Sequence, residues 1–197
     1  QEGFFPSEAG EPLDILLGGS FFMKIRKLVL GALFTALGVL LPMVFHFVPN
    51  AGSVFLPMHI PVLLCGLICG WPYGLACGIL APLLSSLLTG MPPAAMLPGM
   101  LCELAVYGAV SGLLSQFIRT GKALVDTYLA LLGAMLAGRL VAGATNALIF
   151  RAGAYSLQTW IAASFVTALP GIIIQLVLIP ILIMALKRAK LFQLGTV

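Results

Sequence analysis

Long apolar runs separated by short turn-forming breaks dominate this sequence, and each run is read here as one membrane crossing. The first covers about Leu28 to Phe47. A loop from Val48 to Pro57, with Pro49-Asn50-Ala51-Gly52-Ser53 in it, leads to a short second span from roughly Met58 to Gly70. Gly70-Trp71-Pro72-Tyr73-Gly74 breaks that span from a third, roughly Leu75 to Leu88, and Thr89-Gly90-Met91-Pro92-Pro93 is a firm turn. Spans four, five and six cover about Ala94 to Ile118, Ala123 to Phe150 and Leu157 to Leu186. The pattern predicts an all-α integral membrane protein, a six-helix bundle.

Basic residues fix the expected orientation. Lys24, Arg26 and Lys27 precede span one, Arg119 and Lys122 separate spans four and five, and Lys187, Arg188 and Lys190 follow span six. The loops between spans one and two and between three and four carry no charge. The positive-inside rule then places both termini in the cytoplasm, which needs an even number of spans. Arg151 is the lone basic residue on the outer side.

Only Glu103 and Arg139 are charged residues well inside the spans. An ion in the hydrocarbon core is costly unless it is paired or faces a cavity, so this pair marks a candidate site. Span four carries Glu103, Tyr107 and Ser111 on one face; span five carries Arg139, Gly143 and Asn146; span six carries Thr167, Gly171 and Gln175, with Pro170 expected to kink the helix. Counted from the outer ends, Glu103 and Arg139 lie roughly 14 and 17 Å deep, which allows pairing. Two readings stand: a buried pair that fixes helix register, or a pocket open to the outside that recognises a polar small molecule. In the second, Asn146 is the direct-contact candidate nearer the surface, whereas Gln175 is placed in the inner half as a structural residue. His46 and His59 flank the first outer loop, and His59, at a helix start, serves either as a cap or as a ligand contact. Trp160 and Tyr155 line a pocket lid or anchor the interface. Arg151 meets an anionic ligand group or a lipid phosphate.

Composition narrows the class. Hydrophobic residues make up 61% and charged residues 8%, against about 25% charged in soluble domains. Residues 23–197 leave room for one membrane bundle and no ATPase of its own. Thr120-Gly121-Lys122-Ala123 lacks the upstream glycine and the final Ser/Thr of a phosphate loop. Nothing interleaves aromatic and basic residues as a nucleic-acid surface would. Cys65, Cys69, Cys77 and Cys102 read as small hydrophobes, and neither they nor the two histidines suggest a metal site; no cofactor is expected. Residues 1–22 hold four of the six acids and are read as an added extension or flexible leader, outside the fold; they are no signal peptide, and Met23-Lys24-Ile25-Arg26-Lys27 reads as a natural start.

Span one carries Ala32 and Ala36 one turn apart, with Gly31, Thr35 and Gly38 nearby, a small-residue face on which another helix can pack closely. Together with Leu56-Pro-Met-His-Ile-Pro-Val-Leu-Leu-Cys-Gly66, Pro82-Leu-Leu-Ser-Ser-Leu-Leu-Thr-Gly-Met-Pro-Pro93 and Glu103 followed by Tyr107-Gly108, this chain resembles the substrate-binding S components of energy-coupling factor (ECF) transporters over about Met23 to Lys190. The resemblance implies capture of a vitamin or related micronutrient from outside the cell, and docking on a transmembrane coupling subunit that carries two ATPase subunits. It implies that Ala32 and Ala36 meet the coupling subunit, that loops after spans one, three and five cover the ligand, and that the S component topples in the lipid bilayer. The substrate stays open. A carboxylate such as Glu103 suits the guanine-like edge of a queuosine precursor or folate, whereas Arg139 and Arg151 suit a carboxylate such as that of pantothenate. The competing reading is a self-sufficient ion-coupled secondary transporter, although polar residues thin out toward the inner half and no inverted repeat is visible. An intramembrane enzyme is the third, with Ser85-Ser86 lacking a nucleophile setting.

Overall fold

The computed structural model describes residues 11–44, 51–150 and 156–188, and among these every regular element is helical. Helix α1 spans Glu11–Val44, α2 Ala51–Phe55, α3 His59–Cys69, α4 Trp71–Thr89, α5 Leu97–Phe117, α6 Ala123–Thr145, α7 Leu157–Ile161 and α8 Leu169–Arg188. Wide π-type turns extend α6 over Asn146–Phe150 and follow α7 over Ala162–Thr167. Among the described residues six segments are long and apolar enough to cross a membrane: Phe21–Val44, Gly52–Cys69, Trp71–Thr89, Leu97–Phe117, Ala123–Phe150 and Leu169–Arg188. An even number of crossings puts Met23 and Arg188 on one side. Arg119, Asp126 and Lys187 share one cleft with Leu67, Ser115 and Ile183, so the inner ends of α3, α5, α6 and α8 meet where the basic residues gather.

Several boundaries differ from the sequence reading. Helix α1 is already formed at Glu11, within the segment set apart as a leader. The outer loop before span two contains α2, because Val54 and Phe55 lend their backbone to close packing against Gly171 of α8. Leu56, with φ at 51°, and Pro57 then break α2 from α3. The break between spans two and three narrows to Gly70 alone. Its φ of 97° is open to glycine and strained for other residues, and Pro72 sits in the first turn of α4, where no backbone N–H is needed. Span six is divided: α7 and the wide turn to Thr167 come first, and the long helix α8 starts at Leu169, twelve residues after the expected start of the span. Pro170 there lacks the N–H that would continue the preceding turn, and the helix is interrupted at Ala168, two residues before it.

Lipid offers no hydrophobic drive between helices, so the bundle relies on close contact. Glycines supply it. A Cβ on Gly74, Gly78, Gly108 or Gly112 would overlap backbone atoms across the α4–α5 interface, and one on Gly66 would overlap Gly108 and Ser111. α5 therefore lies backbone against backbone on both α3 and α4. Gly31 and Gly38 of α1 face Tyr73 and Ala81 of α4. Ser85 and Ser86 donate to the carbonyls of Met91 and Pro92 at 2.7 and 2.9 Å, which ties down the turn between α4 and α5. Cys65, Cys69 and Cys77 are free thiols packed in the core.

Candidate functional site

Close approach of α5 to α3 brings two side chains together that lie 44 positions apart. His59, the first residue of α3, places Nε2 3.7 Å from Oε1 of Glu103 on α5. Arg139 of α6 reaches the same oxygen from the other side, with Nη1 at 4.0 Å. Tyr107, one turn below Glu103, stacks edge-on against His59 with ring centroids 5.2 Å apart, and its hydroxyl lies within electrostatic reach of Glu103 and Arg139. The Tyr107 ring lies on Gly138, where any Cβ would overlap it. That glycine is what lets α6 pass close enough for Arg139 to join the cluster.

The cluster is deeply buried. Tyr107, His59 and Arg139 are 0%, 2% and 4% exposed, and only the Glu103 side chain, at 19%, retains an opening. Both ring nitrogens of His59, the Tyr107 hydroxyl, and Nε and Nη2 of Arg139 are buried without a hydrogen-bond partner among the described residues. Buried polar groups are normally satisfied, and each one that is not needs an explanation. Nε and Nη2 form the side edge of the guanidinium, the fork that grips a carboxylate through two parallel bonds. Arg139 thus turns one end toward Glu103 and keeps its two-donor edge unused.

The wide turn after α7 packs against the Arg139 guanidinium. Phe165 sets its ring 5.8 Å from the Arg139 guanidinium carbon, and Trp160 packs edge-on against Phe165 with centroids 5.5 Å apart. The Trp160 indole donates to the backbone carbonyl of Arg139 at 3.0 Å and lies over Gly143. Trp160, expected as an interfacial lid or anchor, is therefore bonded to the helix that carries the arginine. Asn146 stands two turns outward from Arg139. Its amide donates to the Ala142 carbonyl at 2.8 Å and it packs against Gly99 of α5, so its N–H2 group already has a protein partner. Ser111 donates to Gly108 at 3.2 Å and belongs to helix packing. Arg151, Tyr155 and His46 lie outside the described residues.

Two features were not foreseen. Phe165 is one of twelve phenylalanines, and nothing in its sequence neighbourhood distinguishes it. Gln175, expected as a structural residue, is wholly buried on α8, and its amide has no hydrogen-bond partner among the described residues. Two cavities among the described residues lie elsewhere: an inner cleft near Arg119 and Lys187, about 150 Å³, and an apolar groove of about 310 Å³ between α1, α3 and α8, lined by residues such as Phe34, Leu64 and Leu178. On the face of α1 away from the bundle, Ala32 and Ala36 are exposed beside Leu33 and Leu37.

Comparison with known proteins gives one relationship. Residues 26–183 match the family model described as ECF transporter, substrate-specific component. No curated protein and no solved structure matches the chain.

Proposed function

The chain belongs to the substrate-specific components of ECF transporters, and from that premise we propose that His59, Glu103, Tyr107 and Arg139 form the site that captures its substrate from outside the cell. It is a multi-pass protein of the plasma membrane with a role in transport. Components of this kind work with an ECF module, whose transmembrane and ATPase subunits are other chains.

One observation carries the site: opposite charges and unpartnered polar atoms from three helices converge in a buried layer of the outer half. A pair kept only for helix register would be expected to bond fully with itself. Here Glu103 and Arg139 stand 4.0 Å apart, and the arginine's two-donor edge is left over. That edge favours a ligand with a carboxylate or similar acceptor, as in pantothenate or folate, over a neutral one. A queuosine precursor would rely on Glu103 instead. Phe165 packs on the guanidinium and Trp160 packs on Phe165, and in this reading the segment from Leu157 to Thr167 moves aside to admit the ligand. Ala32 and Ala36 would then receive the coupling subunit, and two ATPase subunits would drive release inward. Asn146 and Arg151 would act at the mouth of the site.

Native mass spectrometry of the purified protein tests the capture role. A stoichiometric vitamin-sized adduct, lost in Glu103→Gln, is the expected result. A wild-type chain that stays bare after a micronutrient panel would count against this site.

A further inference from the structure

Glu103 and Arg139 bring one charge of each sign to the buried cluster, and His59 stands between uncharged and charged forms beside them. α3, which carries His59, packs against α1, α4, α5, α6 and α8. From α5 come Glu103, with Oε1 3.7 Å from Nε2, and Tyr107, whose ring centroid is 5.2 Å from that of His59. From α6 comes Arg139, with Nη1 4.0 Å from the same carboxylate oxygen. The other helices bring no further charge. α1 has no titratable residue from Leu28 to Val44. α4 has Tyr73 and Cys77 in its first two turns, and α8 has Lys187 and Arg188 in its last, all toward the inner end. The thiols of Cys65 and Cys69 follow on α3 itself, and Cys102 precedes Glu103.

With an uncharged imidazole, the carboxylate and the guanidinium cancel. Both nitrogens of His59 are nevertheless buried without a hydrogen-bond partner among the described residues. An uncharged ring offers one donor and one acceptor; an imidazolium offers two donors. The other atoms left over in the cluster, Nε and Nη2 of Arg139 and the Tyr107 hydroxyl, can all donate. Such a set suits an acceptor-rich group, yet it holds no spare positive charge to offset one. A carboxylate on the free edge of Arg139 would leave one negative charge uncompensated, where His59 and Arg139 are 2% and 4% exposed. A buried, unpaired charge is strongly unfavourable, and a group that can change its own charge does so instead. Histidine is the side chain that gains a charge near neutral pH.

We infer that the substrate enters this site as an anion together with one proton, and that His59 takes the proton. This rests on the capture role proposed above. The proton comes from water and turns the imidazole into an imidazolium; the substrate keeps all its bonds. The bound layer then holds two cations, Arg139 and His59, and two anions, Glu103 and the substrate. Nε2–H of His59 faces Glu103, and Nδ1–H becomes a further donor. Binding consumes a proton, so affinity for an anion falls as the pH rises. An uncharged solute needs no proton.

Calorimetric titration of the full chain with pantothenate, folate and uncharged 7-deazaguanine tests this from about pH 6 to about pH 8, where imidazole titrates and carboxylates do not. Buffers of different ionisation enthalpy count the protons taken up. The carboxylate compound that wild type holds should bind about ten- to hundredfold more weakly at the upper pH, with uptake of up to about one proton. His59→Gln should bind it more weakly at the lower pH and lose the pH dependence; its unfolding midpoint without ligand shows that it is folded. A carboxylate compound held by wild type with flat affinity and no proton uptake would overturn the inference without recourse to the variant. So would a pH dependence that persists in His59→Gln. If 7-deazaguanine alone is held, the capture role stands and the anion is wrong. If wild type holds nothing in the panel, the capture role fails and this inference falls with it.

Discussion

Trp160 donates its indole N–H to the carbonyl oxygen of Arg139, 3.0 Å away, and rests on Gly143 in the next turn of the same helix. The cover of the cluster is thereby fastened to the helix that supplies its cation. Trp160→Phe removes one hydrogen bond and should lower stability by about 1 kcal/mol. Gly143→Val fills the space under the indole and should cost about 1–3 kcal/mol through overpacking. Thermal unfolding of the purified variants measures both. Equal stability for Gly143→Val and wild type would mean that the indole does not sit there.

Arg139→Lys keeps a positive charge but loses the planar two-donor edge. If that edge holds a carboxylate, affinity should fall at least tenfold, about 1.4 kcal/mol, with little gain for Lys over Arg139→Gln. Calorimetric titration decides it. Full retention of affinity in the lysine variant would reduce the role to charge alone.

Glu103→Gln preserves size while removing the counter-charge of a buried arginine. Breaking one side of a buried ion pair typically costs about 3–5 kcal/mol; Glu103 is partly open, so the lower end is expected. Unfolding midpoints with and without ligand should both drop, and the ligand-induced rise should shrink. An unchanged rise would remove Glu103 from the site.

Ala32→Trp and Ala36→Trp alter the face of α1 that points away from the bundle. Ligand binding by the isolated chain should stay within twofold, on the order of 0.4 kcal/mol, while ATP-driven uptake by the reconstituted complex is lost. Normal uptake would place the docking surface elsewhere.

Gly108→Val tests the packing that positions everything else. Its Cβ would meet the backbone of Gly74, which no rotamer change can relieve. Size-exclusion chromatography should show little folded protein, whereas Gly121→Ala, with open space around it, should fold with only the modest cost of its φ of 83°.

Much of the architecture was legible because a membrane demands long apolar runs, and charge within them stands out. Glu103 and Arg139 were found that way. The tie from His59 to Glu103 was not, because it depends on the register of α3 against α5, set by the close approach of Gly66 to Gly108 and Ser111. Hydropathy carries no register. The interruption at Ala168 was hidden for a related reason: the apolar run continues past it, and a single residue where one helix gives way to the next leaves no mark in hydropathy. Ala32 and Gly31 looked alike as small residues, yet one faces outward and the other faces Tyr73.

The glycine contacts also decide how force moves through this molecule. Gly38 of α1 bears on Ala81 of α4, and Gly74 of α4 bears directly on the backbone of Gly108, on the helix that carries Glu103. Side chains absorb small displacements by changing rotamer; backbone contacts have no such slack. A partner leaning on the outer face of α1 would therefore shift α4 and α5 as stiff rods, and the carboxylate would travel with them.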